Sequence, residues 1–203
     1  LVSIQKELAV IVARNANGET KAFPVVELVF NQEANLVEYL FSPASIDELT
    51  AHKAESLALS VAQALDLEGI LAVEMFLNTD GKLLVNESAP RTHNSGHHTI
   101  EGNYTSQFAQ HLRAILNLPL GDTRCIQPAA MINLLGAKGF VGPVVYEGLN
   151  DVLALDDTYP HLYGKTSTKP FRKMGHITIL GQDLNSLKRK AQTVASMVRV
   201  ISK

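Results

Sequence analysis

The spacing of apolar and turn-forming residues predicts strands in the first part of the chain. Apolar runs at residues 7–14 and 21–28 flank Asn15-Ala16-Asn17-Gly18-Glu19, a combination typical of a hairpin. Residues 35–42 are predicted to form a further short strand or extended segment. Ser45-Ile46-Asp47-Glu48 then matches a capping box, which predicts a helix that is capped by Ser45 and extends to about residue 65. Its core-facing stripe would consist of Ile46, Leu49, Ala54, Leu57, Val61 and Leu65.

The later part of the chain predicts two more helices and several short strands. A helix is predicted over residues 105–116, with Phe108, Leu112 and Ile115 as its apolar stripe. Pro119 and Gly121 end it, and we expect a domain boundary here, between residues 1–120 and 121–203. Strands are predicted at residues 129–135, 142–147 and 173–180. Together these elements indicate an α+β fold with a mainly antiparallel sheet. Asp183 is predicted to cap the last helix, whose core-facing stripe would be Leu187, Ala191, Val194 and Val198.

Two glutamates interrupt a pair of apolar strands. Residues 70–77 and 82–88 are rich in Leu, Val and Ile, and Thr79-Asp80-Gly81 between them predicts a tight turn. If Asp80 and Gly81 form the turn, Glu74 faces Glu87. If Thr79 and Asp80 form it, Glu74 faces Val85 and the two glutamates are diagonal neighbours. Both registers leave the carboxylates on one face of the sheet, whereas a three-residue loop would separate them.

Carboxylates held that close together repel each other unless a cation lies between them. A divalent ion is the simplest such cation, and magnesium bound by two carboxylates keeps several coordination positions for phosphate oxygens. The pattern therefore indicates a magnesium site for a nucleotide, with Glu74 and Glu87 as the protein ligands. The alternative is a hairpin whose glutamates simply face water.

The segment after the second strand, residues 86–98, is crowded with polar groups. Arg91 can bind a phosphate or a carboxylate through two parallel hydrogen bonds, and His93 and His97 can exchange protons near neutral pH. So many directional groups in one segment favour a binding or catalytic loop over a solvated one. The His-x3-His spacing is also compatible with zinc, although no third ligand is evident.

A second polar segment, residues 163–176, contains four cationic side chains and, at positions 166–168, three hydroxyls. Lysine supplies a point charge and arginine a planar fork, so Lys165 and Arg172 could bind a phosphate monoester. A solvated basic loop is the alternative. Phosphate binding is favoured if this segment and the loop of Arg91 and His93 face one cleft.

Composition and charge narrow the function classes. The 203 residues carry a formal net charge of −2, which gives no reason to expect a nucleic acid or an anionic membrane as a partner. Cys125 is the only cysteine, so an internal disulfide and a Cys-rich metal site are excluded and a cytoplasmic location is favoured. No apolar run approaches the length of a membrane span. The chain opens at Leu1 within a strand-like run, and we expect it to be the later part of a longer protein.

Residues 74–120 carry a dense series of motifs: E-M-F, L-L-V-N-E, A-P-R-x-H-N-S-G-H, T-I-E, T-S-Q-F and Q-H-L-R-A-I-L-N-L-P-L-G. Near the end of the chain follows G-K-x6-R-K-M-G-H. The chain closely resembles the 5-(carboxyamino)imidazole ribonucleotide synthase family of ATP-grasp enzymes over essentially its whole length. The resemblance implies the later part of an ATP-grasp domain, an antiparallel sheet with helices, followed by a small C-terminal α+β domain. The amino-terminal domain and the start of the ATP-grasp domain would precede Leu1.

The resemblance also implies an activity. Members of this family use ATP and bicarbonate to carboxylate the exocyclic amine of 5-aminoimidazole ribonucleotide in purine biosynthesis, through carboxyphosphate, and release ADP and phosphate. The resemblance further implies a homodimer. The matching motifs imply the following roles. The metal ligands would be Glu74 and Glu87, and ATP would be contacted by Glu7 and Asn86. The catalytic residues would be Arg91, His93 and Asn94, and the phosphate of the ribonucleotide would be bound by Lys165 and Arg172.

The chain departs from the family pattern at two places. Glu27-Leu28-Val29-Phe30 stands where many members have Glu-Asn-x-His, and Lys169-Pro170-Phe171 stands where Arg-Pro-Gly is common. Two other functions stay open. One is a related purine-pathway ATP-grasp ligase, such as the formate-dependent glycinamide ribonucleotide transformylase, against which the H-N-S-G-H and R-K-M-G-H stretches argue. The other is a non-catalytic fragment that binds a phosphorylated metabolite or pairs with itself.

Overall fold

The computed structural model describes residues 2–31 and 36–203. Asn35, the first residue of the strand predicted over residues 35–42, lies outside the described residues. The chain divides into two compact units. Unit 1 comprises Leu1–Leu28 and Phe41–Gln127, and unit 2 comprises Val29–Leu40 and Pro128–Lys203.

Runs of one to four strands are separated by helices along the chain, and the predicted α+β fold class is confirmed. The strands within the described residues are β1 (Ile4–Arg14), β2 (Thr20–Ala22), β3 (Val26–Asn31), β4 (Leu36–Ser42), β5 (Gly69–Asn78), β6 (Leu83–Ala89), β7 (Ala129–Leu135), β8 (Gly142–Glu147), β9 (Thr158–Leu162), β10 (Ser167–Thr168), β11 (Lys173–Leu180) and β12 (Arg199–Ser202). The α-helices are α1 (Glu48–Ala64), α2 (Thr99–Gly102), α3 (Gln107–Ile115), α4 (Leu149–Leu153) and α5 (Leu184–Met197).

Unit 1 is built on antiparallel strands in the order β6-β5-β1-β3, with β2 paired to the end of β1. The predicted hairpin at residues 15–19 is confirmed, because Arg14 pairs with Thr20 and the Asn15 N–H donates to the Glu19 carbonyl (3.1 Å). One face of these strands packs against α1 and forms the main core of the unit. The larger buried side chains on this face are Leu8, Val10, Val12, Leu71, Val73 and Met75.

The strand predicted over residues 21–28 is interrupted in the structure. β2 ends at Ala22 and β3 begins at Val26, with Phe23, Pro24 and Val25 between them. Pro24 has no N–H to donate to a neighbouring strand, so a single regular strand does not run through the segment.

Helix α1 follows the predicted position but differs in its cap and in its buried side. Its N-cap is Asp47 instead of Ser45, because the Asp47 carboxylate accepts a hydrogen bond from the Thr50 N–H (2.9 Å). Leu49 and Leu65, two members of the predicted stripe, are exposed. Small side chains let the helix lie close to the strands, and the fully buried ones are Ala54, Ala58 and Ala62.

Helix α3 exposes its apolar stripe and buries two glutamines. Phe108, Leu112 and Ile115 are exposed, whereas Gln107, Gln110 and Ala114 are buried. Buried carboxamides are tolerated when both of their polar atoms are satisfied. Gln110 meets this condition because it exchanges two hydrogen bonds with the Gly121 backbone (2.8 and 3.1 Å).

Unit 2 contains strands in the order β4-β7-β11-β9 and a small sheet in the order β10-β8-β12. The predicted strands at residues 129–135, 142–147 and 173–180 are confirmed as β7, β8 and β11. Asp183 caps α5 as predicted, through the N–H groups of Asn185 and Ser186 (3.0 and 2.9 Å). No helix in the described part of the chain is long and apolar enough to cross a membrane.

Candidate active site

The hairpin of β5 and β6 carries the two glutamates, and its turn differs from both predicted turns. The Asn78 N–H donates to the Lys82 carbonyl (2.9 Å), which leaves Thr79-Asp80-Gly81 as a three-residue loop. In regular strands, this loop alone would place Glu87 on the opposite face of the sheet from Glu74.

A β-bulge restores the pairing of the two glutamates. Met75 pairs with Val85 and Glu74 pairs with Glu87, so Asn86 is the extra residue of β6. The predicted placement of Glu87 opposite Glu74 is therefore confirmed. The predicted two-residue turns are wrong, and so is the expectation that a three-residue loop would separate the carboxylates, because the bulge compensates for the loop.

The two carboxylates and one imidazole form a compact group. Glu74, Glu87 and His93 each offer a ligand atom within 4.8 Å of the others. Glu74 is buried, His93 is half-buried and Glu87 is exposed. Two carboxylates and an imidazole suit a divalent cation, and the exposure of Glu87 leaves the group open to a ligand from solvent.

The sheet face that carries this group is the one opposite α1. Glu74 pairs with Ala9 of β1, so Glu7, two residues earlier on the same strand, projects from the same face. Burial raises the pKa of the Glu7 carboxyl. Glu7 is half-buried, and Asn86, next to Glu87 in the chain, is exposed.

The loop after β6 places His93 close to the carboxylates of Glu74 and Glu87. Nδ1 of His93 lies 3.7 Å from Oε1 of Glu74 and 2.9 Å from Oγ of Ser95. Asn94 begins the short 3-10 helix, Asn94–Gly96, that follows His93. Arg91 is exposed, and its guanidinium donates to the neighbouring Thr92 carbonyl (3.1 Å). Of the predicted catalytic residues, the structure therefore places His93 against Glu74, Asn94 beside it in the chain, and Arg91 at the surface.

The other two histidines of this loop have different surroundings. Nδ1 of His97 lies 2.9 Å from Nε2 of Gln107, and its ring stacks on Phe108 with 5.7 Å between centroids. His98 is buried, and this burial lowers its pKa to about 3, so the ring is neutral. Within the described residues, the group that could hold a metal includes His93 but not His97, which gives the His-x3-His zinc alternative no support.

In unit 2, both predicted phosphate ligands are held against one loop. Nζ of Lys165 donates to the carbonyl of Lys173 (2.5 Å), the residue after Arg172. Nη1 of Arg172 donates to the carbonyl and the hydroxyl of Ser167 (2.9 and 3.1 Å). Lys165 therefore bonds to the residue after Arg172, and Arg172 bonds to a residue two positions after Lys165.

Aromatic side chains support the position of Lys165. Its Nζ lies 5.6 Å from the ring centroid of Tyr163, and the Tyr163 hydroxyl lies 3.0 Å from Nδ1 of His176. His176 stacks on His161 across the paired strands β11 and β9, with 4.5 Å between centroids. The ammonium group is thus linked through Tyr163 to a buried position of β11.

Family models match both parts of the chain. The model for the ATP-grasp domain matches residues 1–108. The chain belongs to the ATP-grasp family. A second model, for the phosphoribosylaminoimidazole carboxylase C-terminal domain, matches residues 129–190. The glutamate hairpin lies within the ATP-grasp match, and Lys165 and Arg172 lie within the second match.

Several proteins similar to this ATP-grasp chain have closely related names. The N5-carboxyaminoimidazole ribonucleotide synthase of Mycobacterium tuberculosis (strain ATCC 25618 / H37Rv) is 45% identical over 96% of this chain and 45% of its own length. The crystal structure of N5-carboxyaminoimidazole ribonucleotide synthetase from Thermotoga maritima is 46% identical, with a TM-score of 0.93, over 100% of this chain and 54% of that chain. The N5-carboxyaminoimidazole synthase from Aspergillus clavatus, in complex with ADP and 5-aminoimidazole ribonucleotide, is 34% identical, with a TM-score of 0.87, over 97% of this chain and 52% of that chain. The predicted resemblance is confirmed, and the chain spans about half the length of the relatives it matches.

Gln107 is a residue of this ATP-grasp domain that sequence reasoning did not single out. Its carboxamide bonds to both the N–H and the carbonyl of His93 (2.9 and 2.8 Å). A signal was present in the sequence, because Gln107 and Gln110 lie three residues apart, on the same side of a helix whose apolar stripe lies elsewhere.

Proposed function

We propose that this chain forms the later part of an ATP-grasp ligase that uses ATP and bicarbonate to carboxylate the exocyclic amine of 5-aminoimidazole ribonucleotide. The observation that carries the proposal is the pairing of Glu74 with Glu87, beside His93, within the segment that matches the ATP-grasp domain. The Aspergillus clavatus relative, whose structure holds ADP and 5-aminoimidazole ribonucleotide, supports the same nucleotide and substrate.

Glu74 and Glu87 would hold magnesium. Their carboxylate oxygens are the ligand type that magnesium prefers, and their proximity, within 4.8 Å, favours occupation by a cation. Glu74 is buried in the sheet and supplies a rigid ligand, whereas the exposed Glu87 leaves room for phosphate oxygens. Magnesium bound there would neutralise charge on the nucleotide phosphates. Glu7, on the same face, and Asn86, beside Glu87, would contact ATP.

In the proposed reaction, a bicarbonate oxygen attacks the terminal phosphorus of ATP, and the bond to the bridging oxygen breaks to give ADP and carboxyphosphate. Carboxyphosphate then releases phosphate and delivers carbon dioxide to the amine nitrogen, which loses a proton as the C–N bond forms. The protein contributes mainly positioning and electrostatic stabilisation. Arg91 would pair with the anionic oxygens, and His93 and Asn94 would orient bicarbonate and the amine.

Lys165 and Arg172 would bind the phosphate of the ribonucleotide. The Lys173 carbonyl and the Tyr163 ring hold the Lys165 ammonium, and Ser167 holds the Arg172 guanidinium. Cations that are held in place before the phosphate arrives lose less side-chain entropy on binding. This arrangement supports a phosphate clamp over a freely solvated basic loop.

We also expect a cytoplasmic homodimer, and the exposed apolar stripe of α3 supports association through that helix. Leu112→Glu should then convert the dimer to a monomer in sedimentation experiments. Leu153→Glu in α4 is a matched control, because both leucines are similarly exposed (56% and 58%). A Leu112→Glu protein that sediments as a dimer would exclude this helix as the interface.

The decisive experiment measures ADP release with ATP, magnesium and bicarbonate, with and without 5-aminoimidazole ribonucleotide. It is run on this chain and on the chain extended to the length of its relatives. Ribonucleotide-dependent ADP release, lost in a folded Glu87→Gln protein, is the expected result. Release that requires formate and glycinamide ribonucleotide would identify a related ligase instead. Ribonucleotide binding without ADP release in either form would identify a non-catalytic binding protein.

A further inference from the structure

Gln107, the first residue of α3, has a fully buried side chain whose orientation is determined by its partners. Oε1 accepts a hydrogen bond from the His93 N–H (2.9 Å), and Nε2 donates to the His93 carbonyl (2.8 Å). A backbone N–H can only donate and a carbonyl oxygen can only accept. The positions of the oxygen and the nitrogen in the carboxamide are therefore unambiguous, unlike those of most glutamine side chains.

The same nitrogen also determines the state of a histidine. Nε2 of Gln107 lies 2.9 Å from Nδ1 of His97. A carboxamide nitrogen can only donate, so Nδ1 must carry a lone pair and the ring proton must lie on Nε2 of His97. We propose that Gln107 is a positioning residue that holds the loop of residues 93–97 on α3 and keeps His97 as the neutral Nε2–H tautomer.

Two neighbouring residues shape the loop around this carboxamide. A Cβ atom at Gly96 would lie 2.5 Å from Oε1 of Gln107, so only a glycine allows the backbone to approach this closely. The Thr99 hydroxyl donates to the Gly96 carbonyl (2.5 Å) and accepts from the Gln107 N–H (2.8 Å). The start of α3 and the loop thus share one continuous hydrogen-bond network, in which each bond polarises the next.

The network ends at the carboxylate group of the hairpin. The Gln107 carboxamide bonds to the backbone N–H and carbonyl of His93, whose ring nitrogen Nδ1 lies 3.7 Å from Oε1 of Glu74. Gln107 therefore positions His93 through the backbone of that residue. The catalytic value of this positioning rests on the proposed function, whereas the tautomer of His97 follows from the hydrogen bonds alone.

The test is a two-bond proton–nitrogen correlation spectrum of the full chain, labelled with nitrogen-15 in its histidine rings. We expect the Nε2–H pattern for His97 in the wild-type chain and a mixture of tautomers in Gln107→Met. Gln110→Met is the matched control, because Gln110 is equally buried on the same helix but bonds to Gly121, and it should leave the His97 pattern unchanged.

Two results would overturn the proposal: a wild-type His97 with its proton on Nδ1 or with two protons, or an unchanged His97 pattern in folded Gln107→Met. If that variant does not fold, Gln107→Glu replaces it. The glutamate retains an acceptor for the His93 N–H but cannot donate to His97, so it should move a proton to Nδ1. An unchanged pattern there also contradicts the proposal.

A magnesium titration separates this inference from the proposed function. Magnesium should shift the His93 ring signals of the wild-type chain. At the same magnesium concentration, this shift should be severalfold smaller in the Gln107→Met protein. An equal shift in both proteins would contradict the positioning role. If magnesium leaves the wild-type His93 signals in place, the metal assignment is wrong while the tautomer result stands.

Discussion

Replacing Glu87 by glutamine should raise the stability of the metal-free protein. The variant keeps the shape of the side chain and removes one of two negative charges whose ligand atoms lie within 4.8 Å of each other. Coulomb's law at that separation gives a repulsion of about 1 kcal/mol in water-like surroundings and about 3 kcal/mol at an effective dielectric constant near 20. Because Glu87 is exposed, the lower value applies, and we expect a gain of about 1 kcal/mol.

Magnesium should reverse this order of stability. An ion that binds only the folded protein stabilises it by about 2.7 kcal/mol at a hundred times its dissociation constant. The wild-type chain should gain this amount and the variant, with one carboxylate left, much less. The wild-type protein is therefore the less stable of the two without magnesium and the more stable one with it.

The assay is urea denaturation followed by circular dichroism at about pH 8, where histidine side chains are largely neutral, with ionic strength held constant by sodium chloride. With a slope of about 2 kcal/mol per molar urea, a change of about 1 kcal/mol moves the midpoint by about 0.5 M. Glu68→Gln, at another exposed position of unit 1, is the control and should respond to neither condition. A variant less stable than wild type without magnesium, or equally stabilised by it, would refute the reasoning.

Three further outcomes are expected. Lys165→Ala should raise the KM for the ribonucleotide about tenfold or more with little change in kcat, since the lost contact acts on the bound substrate and on the transition state alike; an unchanged KM would place the clamp elsewhere. Gly96→Ala should destabilise the protein by about 1–3 kcal/mol in thermal denaturation, because its Cβ meets Gln107, and an unchanged melting temperature would contradict that contact. Burial lowers the pKa of His98 to about 3, so below about pH 6.5 the unfolded chain binds a proton that the folded chain does not. The stability of the wild-type protein therefore decreases as the pH is lowered. His98→Gln should flatten this fall in urea midpoints between about pH 7 and pH 4, whereas the exposed His52→Gln should not; equal slopes for all three would contradict it.

Three strands and the last helix of unit 2 follow from the sequence because their signals are local. β7, β8 and β11 coincide with apolar runs, and Asp183 caps α5 where an acceptor precedes the helix. The strands β9, β10 and β12 and the helix α4 are not predicted, since runs of two to five residues carry too little periodicity to be recognised.

The site is predictable in its residue types and less so in its geometry. The hypothesis that two strand glutamates bind a cation follows from their charge, but their register depends on a bulge for which the sequence gives no local signal. The buried side of α3 is also unpredictable from periodicity, because Gln107 and Gln110 are buried through hydrogen bonds to residues 93, 97 and 121. Such bonds join residues that are separated by 10 to 14 positions in the chain, and helix propensity contains no information about them.

In the segment that contains Lys165 and Arg172, one residue that departs from the family pattern has a left-handed backbone conformation. Phe171 stands where glycine is common in the family, and its φ is 62°, a left-handed conformation that costs a residue with a Cβ about 1–2 kcal/mol. Nζ of Lys138 lies 6.0 Å from the centroid of the Phe171 ring, a cation–π contact that offsets part of this cost.

Because of the β-bulge at Asn86, copying the sequence and the turn of this hairpin into another protein would not reproduce the arrangement of its two glutamates. In a regular strand after the same three-residue loop, the position opposite Glu74 would be occupied by Asn86, and Glu87 would point to the other side. A hairpin grafted onto a designed sheet with ideal strand geometry would reproduce every residue and still present one negative charge where this chain presents two. The designer would have to copy a backbone irregularity together with the amino acids to place both carboxylates on one face of the sheet.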